Sequence, residues 1–301
     1  MCEHSRVTVF GDGRALAVVN PAAGGGRAQR RLERLVRVFR ESGAKVDIVR
    51  TPGPGEATRL TRAAVDEGYG RIIAIGGDGT VHEVVNGLFG SRVELAIVPL
   101  GSANDFAAAL RIPEWRSAAR LAATGKARAV DIATANGRAF ANCAGVGVDA
   151  AGARVVARHK QLVGRLAYFT AAVRTLATYR PRPLRVRVDG EVIDGRHLLV
   201  VAANGERFAN GMRIAPGASV DDGLLDLCII GDTSLLESIA LLARVYRGAH
   251  VGRPKVRMLR ARDLVIEQEG PLPVQLDGEL SRAERIEVRC MPGGLAVVTP
   301  A

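Results

Sequence analysis

A glycine-rich turn directly after a short apolar run constrains this chain more than any other feature of its sequence. Residues 71–75 (RIIAI) form a run that is long enough for a buried strand and too short for a helix. Three glycines follow within four positions, and a backbone without Cβ atoms can take φ > 0 and approach a ligand closely. Thr80 and Glu83 then have the spacing of a capping box. We therefore predict a strand, a tight turn and the start of a helix in succession.

A unit of this kind directs backbone N–H groups and the positive end of a helix dipole at one point, which suits phosphate. Asp78 lies inside the turn, and a carboxylate beside phosphate requires a cation between them, usually Mg²⁺. An ordinary tight turn between a strand and a helix is the alternative. The known phosphate-loop templates do not match. His82 stands where the dinucleotide fingerprint has its third glycine, and the chain contains no G-x-x-x-x-G-K-[ST].

Length and composition narrow the class of protein. A chain of 301 residues that is 48% hydrophobic is too long for one ordinary core, which favours two domains. A net charge of +11 favours contact with polyanions such as nucleotides or an anionic membrane, although a solvated basic surface explains it as well. Because only 4% of the residues are aromatic, stacking platforms for single-stranded nucleic acid are not expected, and we predict no nucleic-acid partner.

The cysteines and the hydrophobic runs favour a cytoplasmic location. The four cysteines lie far apart and form no C-x-x-C pair, which fits a reducing compartment. Residues 1–13 lack the apolar core of a signal peptide and are expected to be a frayed leader or a small hairpin. The sequence contains no run of 18 apolar residues that could cross a membrane.

Strand and helix patterns alternate over the first part of the chain. Apolar runs typical of buried strands, each followed by a helical pattern, recur at 15–20, 45–50, 71–75 and 93–98. This alternation predicts a doubly wound α/β domain with a parallel sheet, in which ligands bind at the carboxyl ends of the strands. We assign residues 14–133 to this nucleotide-binding domain, together with a returning segment at about 290–301.

Shorter strands with hairpin signals predict a mainly antiparallel β-sandwich domain at 134–289, with a few helices. Its clearest hairpin is centred on Asp189-Gly190, which lies between alternating apolar residues. Further strands are expected at 198–203, 224–230, 263–268, 273–276, 285–289 and 295–298, and helices at about 161–178 and 234–247.

The glycine turn is one of several motifs that occur in a fixed order. Besides G-G-D-G-T at 76–80, the chain contains N-P-x-x-G at 20–24, P-x-G-S-x-N-D-F at 99–106, V-D-I at 130–132, N-x-x-G-x-G-V-D-A at 142–150, D-D-G at 221–223 and L-D-G-E at 276–279. This set resembles the diacylglycerol kinase catalytic domain. Over about residues 14–300 the chain is similar to the bacterial soluble diacylglycerol kinase and sphingosine kinase-like family.

The resemblance implies a lipid kinase that transfers the γ-phosphoryl group of ATP to the hydroxyl of a neutral lipid. Diacylglycerol is the expected acceptor and phosphatidic acid the expected product. ATP contacts are implied in and around the glycine-bearing turns, at Asn20, Pro21, Gly24, Gly25, Thr51, Gly76, Gly77, Asp78, Gly79, Thr80, Glu83, Asn86, Gly101, Ser102 and Asn104.

The resemblance also implies two metal sites. Asp78, Asp105 and Asp131 would hold the Mg²⁺ of the nucleotide, and Ser219, Asp222 and Leu224 would hold a structural Mg²⁺. Because Mg²⁺ keeps several waters and takes few direct carboxylates, an indirect network of acids is physically reasonable.

The P-x-G-S-x-N-D-F segment has a structural interpretation of its own. Ser102 and Asp105 have the spacing of a helix cap, and Ser102 keeps the hydroxyl of the family's threonine. Ala108 replaces the family's arginine. Arg111, one helical turn further along the same face, is the candidate substitute.

Two D-G-E tripeptides, at 189–191 and 277–279, compete for the role of catalytic base. Taken alone, both are ordinary hairpin signals. The family's L-D-G-E lies late in the chain and supplies the general base, so the resemblance points to Glu279, with Asp78 as the second catalytic residue.

The lipid has one candidate contact surface, a helix with an apolar stripe and basic flanks. The stripe comprises Leu162, Leu166, Phe169, Val173 and Leu176, with Lys160, Arg165, Arg174 and Arg180 around it. Core packing explains such a stripe more often, but a basic helix lying on an anionic bilayer would put the protein peripherally at the inner membrane face. Three alternative functions stay open at this point: a sphingoid-base kinase, an NAD kinase-like enzyme, and a nucleotide-binding regulator without catalysis. The oligomeric state also stays open, with a homodimer as one alternative.

Overall fold

The computed structural model describes residues 14–158 and 165–301. It divides into two compact units, one that runs to Val130 and includes Gly293–Ala301, and one that comprises Asp131–Pro292. The predictions for residues 1–13, for Lys160 and for Leu162 lie outside the described residues.

The first unit alternates strands and helices and is an α/β domain, as predicted. Its elements are β1 (Ala15–Val19), α1 (Ala23–Glu41), β2 (Val46–Arg50), α2 (Glu56–Asp66), β3 (Arg71–Gly76), α3 (Asp78–Leu88), β4 (Glu94–Pro99), α4 (Asp105–Ala109) and α5 (Trp115–Thr124). Strand β1 pairs in parallel with β2 and β3, and β3 pairs in parallel with β4. A strand from the end of the chain joins β4 in parallel where Val297 pairs with Leu95.

The core of this unit lies between the sheet and its helices. Every residue of β1 is buried, which is the pattern of a strand covered on both faces. Leu35 and Phe39 of α1 pack with Ile73 and Ile75 of β3, and α5 packs against α1 and β4. The other two long helices, α2 and α3, pack against each other.

Three local predictions about this unit are wrong. Helix α3 begins at Asp78 with Gly77 as its N-cap and has no side-chain cap, so Thr80 and Glu83 do not form a capping box. Helix α4 begins at Asp105, and Ser102 does not cap it. Because α4 ends at Ala109 and Arg111 has a φ of 56°, Arg111 does not continue the same helix face.

The second unit is rich in antiparallel strands, as predicted. After β5 (Ala127–Ala135), which crosses the boundary between the units, the elements are β6 (Arg138–Phe140), β7 (Cys143–Gly147), α6 (Val148–Arg158), α7 (Arg165–Thr178), β8 (Arg182–Val188), β9 (Glu191–Ala203), β10 (Leu225–Gly231), α8 (Leu235–Val245), β11 (Val256–Ala261), β12 (Asp263–Leu276) and β13 (Glu279–Val298). The predicted hairpin at Asp189-Gly190 joins β8 to β9.

Two long strands of this unit change partners along their length. The first part of β9 pairs with β8 and the last part with β7 and β10. Similarly, β12 pairs first with β8 and then with β7. The strands predicted at 263–268 and 273–276 are thus one strand, with a register irregularity between Glu267 and Leu272. The sequence reading did not predict α6 or β11.

The apolar stripe of α7 packs inward in its described part. Leu176 is 8% exposed and belongs to a buried cluster, and the ring of Phe169 lies 6.3 Å from that of Tyr246, which follows α8. Core packing therefore accounts for these residues. Among the described residues, no helix is long and apolar enough to span a membrane.

Candidate functional site

Three loops meet at one edge of the parallel sheet of the first unit, where the strands end at their carboxyl termini. The loop after β3 touches the loop after β4 so closely that a Cβ on Gly101 would lie 2.3 Å from the Cα of Gly77. The backbone N–H of Leu100 also donates to the carbonyl of Gly76 at 2.7 Å. Only glycine at both positions permits this approach, which explains why the two motifs carry their glycines there.

The segment after β1 joins them through a run of left-handed glycines, which interrupts the helical backbone at the beginning of α1. Gly24, Gly25 and Gly26 have φ values of 60°, 67° and 80°, and a Cβ on Gly24 would lie 2.2 Å from the carbonyl oxygen of Leu100. An L-residue with a side chain would be strained at each of these φ values.

Arg27 connects two of these loops and was not predicted from the sequence. Its Nε donates to the carbonyl of Gly24 and its Nη2 to the carbonyl of Gly101, both at 3.0 Å. An arginine that directly follows a glycine run is the one sequence signal that could have suggested such a bridge.

Asn20 and Thr80 tie the first loop to the start of α3. The Nδ2 of Asn20 donates to Oγ1 of Thr80 at 3.1 Å, and its backbone N–H donates to the carbonyl of Ile75 at 3.0 Å. Thr51, which follows β2, is buried, and its backbone N–H donates to the carbonyl of Val19 at 2.8 Å. Pro21, Gly25, Gly79 and Ser102 lie in the same turns and are at least partly exposed.

Asp78 binds the backbone at the start of α4. Its Oδ2 accepts from the N–H of Asn104 at 2.7 Å, and its Oδ1 accepts from the N–H of Phe106 at 3.3 Å. Asn104 is left-handed and closes its own turn, because its Oδ1 accepts from the N–H of Gly101 at 2.9 Å. The carboxylate of Asp78, 26 residues before Asn104, thus caps α4. The sequence pattern had predicted Ser102 for this role.

Glu83 caps a different helix from its own. Its two carboxylate oxygens accept from the N–H groups of Gly55 and Ala57, each at 2.9 Å, and so satisfy the start of α2. Asn86, one turn further along α3, donates from Nδ2 to the carbonyl of His82 at 2.9 Å.

The acids that the resemblance assigns to metals have different surroundings. Asp105, in the first unit, is 5% exposed. Asp131 belongs to the second unit, is 3% exposed, and accepts from the N–H of Gly223 at 2.6 Å through its Oδ2. Asp131 therefore orders the D-D-G loop.

The D-D-G loop offers oxygen atoms but no free carboxylate. Oδ1 of Asp222 accepts from the N–H of Leu224 at 3.1 Å, and Oδ2 is paired with Arg260. A cation at this loop would share Asp222 with the guanidinium. Within residues 14–158 and 165–301, no three His, Cys, Asp or Glu side chains are grouped so as to hold a metal ion.

The L-D-G-E turn joins β12 to β13. Asp277 and Gly278 have φ values of 49° and 91°, the left-handed pair that a two-residue hairpin requires. Glu279 begins β13 and is exposed, and its carboxylate has no hydrogen-bond partner among the described residues. Nearby, burial raises the pKa of Asp149 from its ordinary 3.8 to about 7.

Comparison with known proteins adds independent evidence. Residues 14–135 match the diacylglycerol kinase catalytic domain, and residues 142–299 match the YegS C-terminal NAD kinase beta sandwich-like domain. A diacylglycerol kinase of Bacillus subtilis (strain 168) is 31% identical over 271 residues, which are 88% of this chain and 89% of that protein. One of Staphylococcus aureus (strain bovine RF122 / ET3-1) is 32% identical over 270 residues, which are 88% of this chain and 86% of that protein.

Solved structures agree with these matches. A crystal structure named as a diacylglycerol kinase, from Bacillus anthracis str. Sterne, is 26% identical with a TM-score of 0.74, and covers 95% of this chain and 97% of its own. The resemblance noted in the sequence is confirmed. With relatives more than 30% identical over nearly their whole length, the chain belongs to the diacylglycerol kinase family and is an ATP-dependent lipid kinase.

Proposed function

We propose that the protein transfers the γ-phosphoryl group of ATP to the hydroxyl of diacylglycerol and so forms phosphatidic acid. The relatives that are named diacylglycerol kinase support this acceptor. The observation that carries the proposal is the meeting of three glycine-bearing loops at one edge of a parallel sheet, where Gly77 and Gly101 leave no room for a Cβ. Ligands bind at this edge in open α/β sheets, and glycine backbones there suit the phosphates of a nucleotide.

The proposed domain roles follow the two units. A doubly wound nucleotide domain, at 14–133 with about 290–301, is supported by the complete burial of β1 and by helices that form two separate packed pairs. A β-sandwich lipid domain at 134–289 is supported by β9 and β12, because strands that change partners along their length contribute to two layers.

The proposed nucleotide site comprises the residues that close the three loops. Asn20, Gly24 and Gly25 would border the phosphates from one side, and the turn at 76–80 would border them from another. The remaining contacts are proposed at Pro21, Thr51, Glu83, Asn86, Gly101, Ser102 and Asn104. Glu83 and Asn104 also hold backbone groups at 2.9 Å, so besides contacting the ligand they would keep the loops in place for it.

Mg²⁺ fits the donor set beside this site, and when bound with ATP it would neutralise charge on the phosphate oxygens. Asp78 and Asp105 are the residues that would hold it. The two carboxylate oxygens of Asp78 face the start of α4, where they accept from the N–H groups of Asn104 and Phe106. Asp131 would act through the D-D-G loop, where Ser219, Asp222 and Leu224 are the proposed ligands of a second ion.

Glu279 is proposed as the general base that takes the proton from the lipid hydroxyl as it attacks the γ-phosphorus. Its carboxylate is exposed and has no hydrogen-bond partner within residues 14–158 and 165–301, so it can accept that proton. We expect Glu279→Gln to lower kcat by about 10²–10⁴-fold, the usual contribution of a general base, and to leave ATP affinity unchanged. Steady-state kinetics and calorimetric titration with ATP measure the two quantities.

The other D-G-E tripeptide supplies a matched control. Glu191 begins β9 after the same type of turn and is paired with Arg257 at 2.7 Å. Glu191→Gln is expected to retain the wild-type kcat. A wild-type kcat for Glu279→Gln would refute the assignment of the base.

Peripheral contact with an anionic membrane surface is proposed on the distribution of charge. Residues 27–45 and 111–128 contain 12 of the 42 basic residues and only three of the 31 acidic ones, which gives +9 of the net +11. They lie on or beside α1 and α5, which pack together, with Arg31 over the ring of Trp115 at 4.9 Å. Each basic residue near an anionic bilayer contributes about 1 kcal/mol.

One experiment tests the function directly. The protein is incubated with labelled ATP and a total lipid extract, with and without EDTA, and the labelled lipid is identified by mass spectrometry. Labelled phosphatidic acid that forms only when Mg²⁺ is present supports the proposal. A labelled sphingoid base, or labelled NADP formed when NAD is added, would replace it with the corresponding kinase.

A further inference from the structure

The chain contains two D-G-E turns of the same conformation, but their aspartates differ in exposure and in the hydrogen bonds that they accept. Asp189 and Gly190 have φ values of 47° and 81°, and Asp277 and Gly278 have 49° and 91°. Both turns join neighbouring antiparallel strands, β8 to β9 and β12 to β13. Asp-Gly is sufficient by itself to specify such a turn.

The carboxylate of Asp277 accepts three backbone N–H groups from one short segment. Its Oδ2 accepts from Ala141 at 2.8 Å, and its Oδ1 accepts from both Asn142 and Cys143 at 2.9 Å. Its own backbone N–H donates to the carbonyl of Cys143 at 2.9 Å. Asp189, in contrast, is exposed, and its carboxylate has no hydrogen-bond partner among the residues that the structure describes.

Gln275 attaches the same turn at a second point. It is 3% exposed, and its Oε1 accepts from the N–H of Gly278 at 2.8 Å. Its Nε2 donates to Sγ of Cys143 at 3.4 Å and to Oδ2 of Asp149 at 3.3 Å. The turn is therefore attached to the start of β7 by two side chains, those of Asp277 and Gln275.

These bonds are not needed to form the turn, because the turn at Asp189 forms without them. What they restrict is the position of the turn relative to residues 141–143, and hence the position of the next residue, Glu279. We infer that Asp277, supported by Gln275, is a positioning residue that holds the proposed base Glu279 in place for proton transfer. This inference rests on the role proposed for Glu279 above.

The substitution Asp277→Asn tests the positioning of the turn without preventing the turn from forming. Asn-Gly favours the same two-residue turn, so the hairpin is retained. The carboxamide, however, has one acceptor oxygen, and its NH₂ group meets a backbone N–H donor where the second carboxylate oxygen had accepted a bond. The three-bond attachment is broken while the volume of the side chain stays the same.

The test compares kinetics of Asp277→Asn, Glu279→Gln and the double variant, with Asp189→Asn as the matched control. We expect Asp277→Asn to lower kcat by about 10²-fold, the effect of a misplacement of about 1 Å, with KM for ATP unchanged. In the Glu279→Gln background, the same substitution should produce no further loss. Asp189→Asn should have wild-type kinetics.

Each other outcome has a defined meaning. A wild-type kcat for Asp277→Asn overturns the inference and leaves the role of Glu279 intact. A loss of equal size in both backgrounds also overturns it, because Asp277 would then act independently of the base. A wild-type kcat for Glu279→Gln refutes the proposed base and the inference together. If Asp277→Asn does not fold, Gln275→Met, which removes the acceptor for Gly278 and the donor to Cys143 and Asp149, must show a smaller loss that disappears in the Glu279→Gln background. A wild-type kcat for this variant overturns the inference.

Discussion

Replacing Asp149 with asparagine removes a carboxyl group that has little to stabilise its charge. The residue as a whole is half-buried, but its Oδ1 is buried and has no hydrogen-bond partner in the part of the chain that the structure describes. Its Oδ2 accepts one long bond, from Gln275 at 3.3 Å. Loss of solvation is the main reason why the pKa of Asp149 rises from 3.8 to about 7.

The sign of the effect follows from proton binding. Between pH 4 and pH 7, the native state holds a proton at Asp149 that the unfolded state has released. The raised pKa therefore stabilises the fold fully only below about pH 4, and this contribution is lost progressively until pH reaches about 7. A shift of about three pKa units corresponds to at most about 4 kcal/mol, and partial solvation of a half-buried residue reduces it to about 2 kcal/mol.

Asp149→Asn should therefore be more stable than the wild type by less than about 1 kcal/mol at pH 5 and by about 2 kcal/mol at pH 8. Urea unfolding followed by circular dichroism at pH 5, 6, 7 and 8 measures the difference. Tryptophan fluorescence is unsuitable, because the single tryptophan, Trp115, lies in the other unit.

A second readout is the pKa of Tyr179, which burial and then the charge of Asp149 raise to about 12, and which should fall in the variant. Asp189→Asn, at an exposed turn, is the control and should show no dependence of the difference on pH. A difference between Asp149→Asn and the wild type that is constant from pH 5 to pH 8 would show that the carboxyl is solvated and the reasoning wrong.

Two further substitutions test the loops of the first unit. Gly77→Ala would put a Cβ 2.9 Å from the Cα of Gly101, so we expect a loss of about 1–3 kcal/mol in unfolding free energy and weaker ATP binding by calorimetry. Gly53→Ala, which has open space around its Cβ position and no positive φ, is the control. Glu83→Gln replaces one of two acceptors at the start of α2, and thermal unfolding should show a loss of about 1 kcal/mol. Unchanged midpoints would contradict both expectations.

The order of elements in the first unit could be predicted because each element is encoded locally. The apolar run before Gly76 and the helical spacing after Gly26 are patterns of a few residues, and the structure has a strand and a helix there. The edge at which the loops meet was also predictable, since parallel strands share one carboxyl end. Strand boundaries in the second unit were less accurate. Pro273 and the residues before it interrupt the apolar pattern, yet β12 continues past them with a shifted register.

The helix caps could not be predicted, because their partners are distant in sequence. Their spacing in the sequence predicted that Thr80 and Glu83 form a capping box at the start of α3. In the structure Thr80 is bonded by Asn20 at 3.1 Å, and Glu83 caps α2 from 26 and 28 residues away. Local rules of this kind could not predict that Arg27 bridges two loops or that an oxygen of Asp149 is buried, since both depend on which segments the fold brings together.

The failed cap predictions share one cause, which is visible at the start of α3. Within six residues it supplies Asp78 to the start of α4, Thr80 to Asn20 and Glu83 to the start of α2, and none of the three caps α3 itself. Each side chain that a local rule would use for its own helix instead holds another loop or helix of the same unit. A ligand bound at this turn, as proposed above, would therefore act on three connected segments at once. Local rules fail at these residues because their side chains stabilise other segments, and such failures are expected where a site is built.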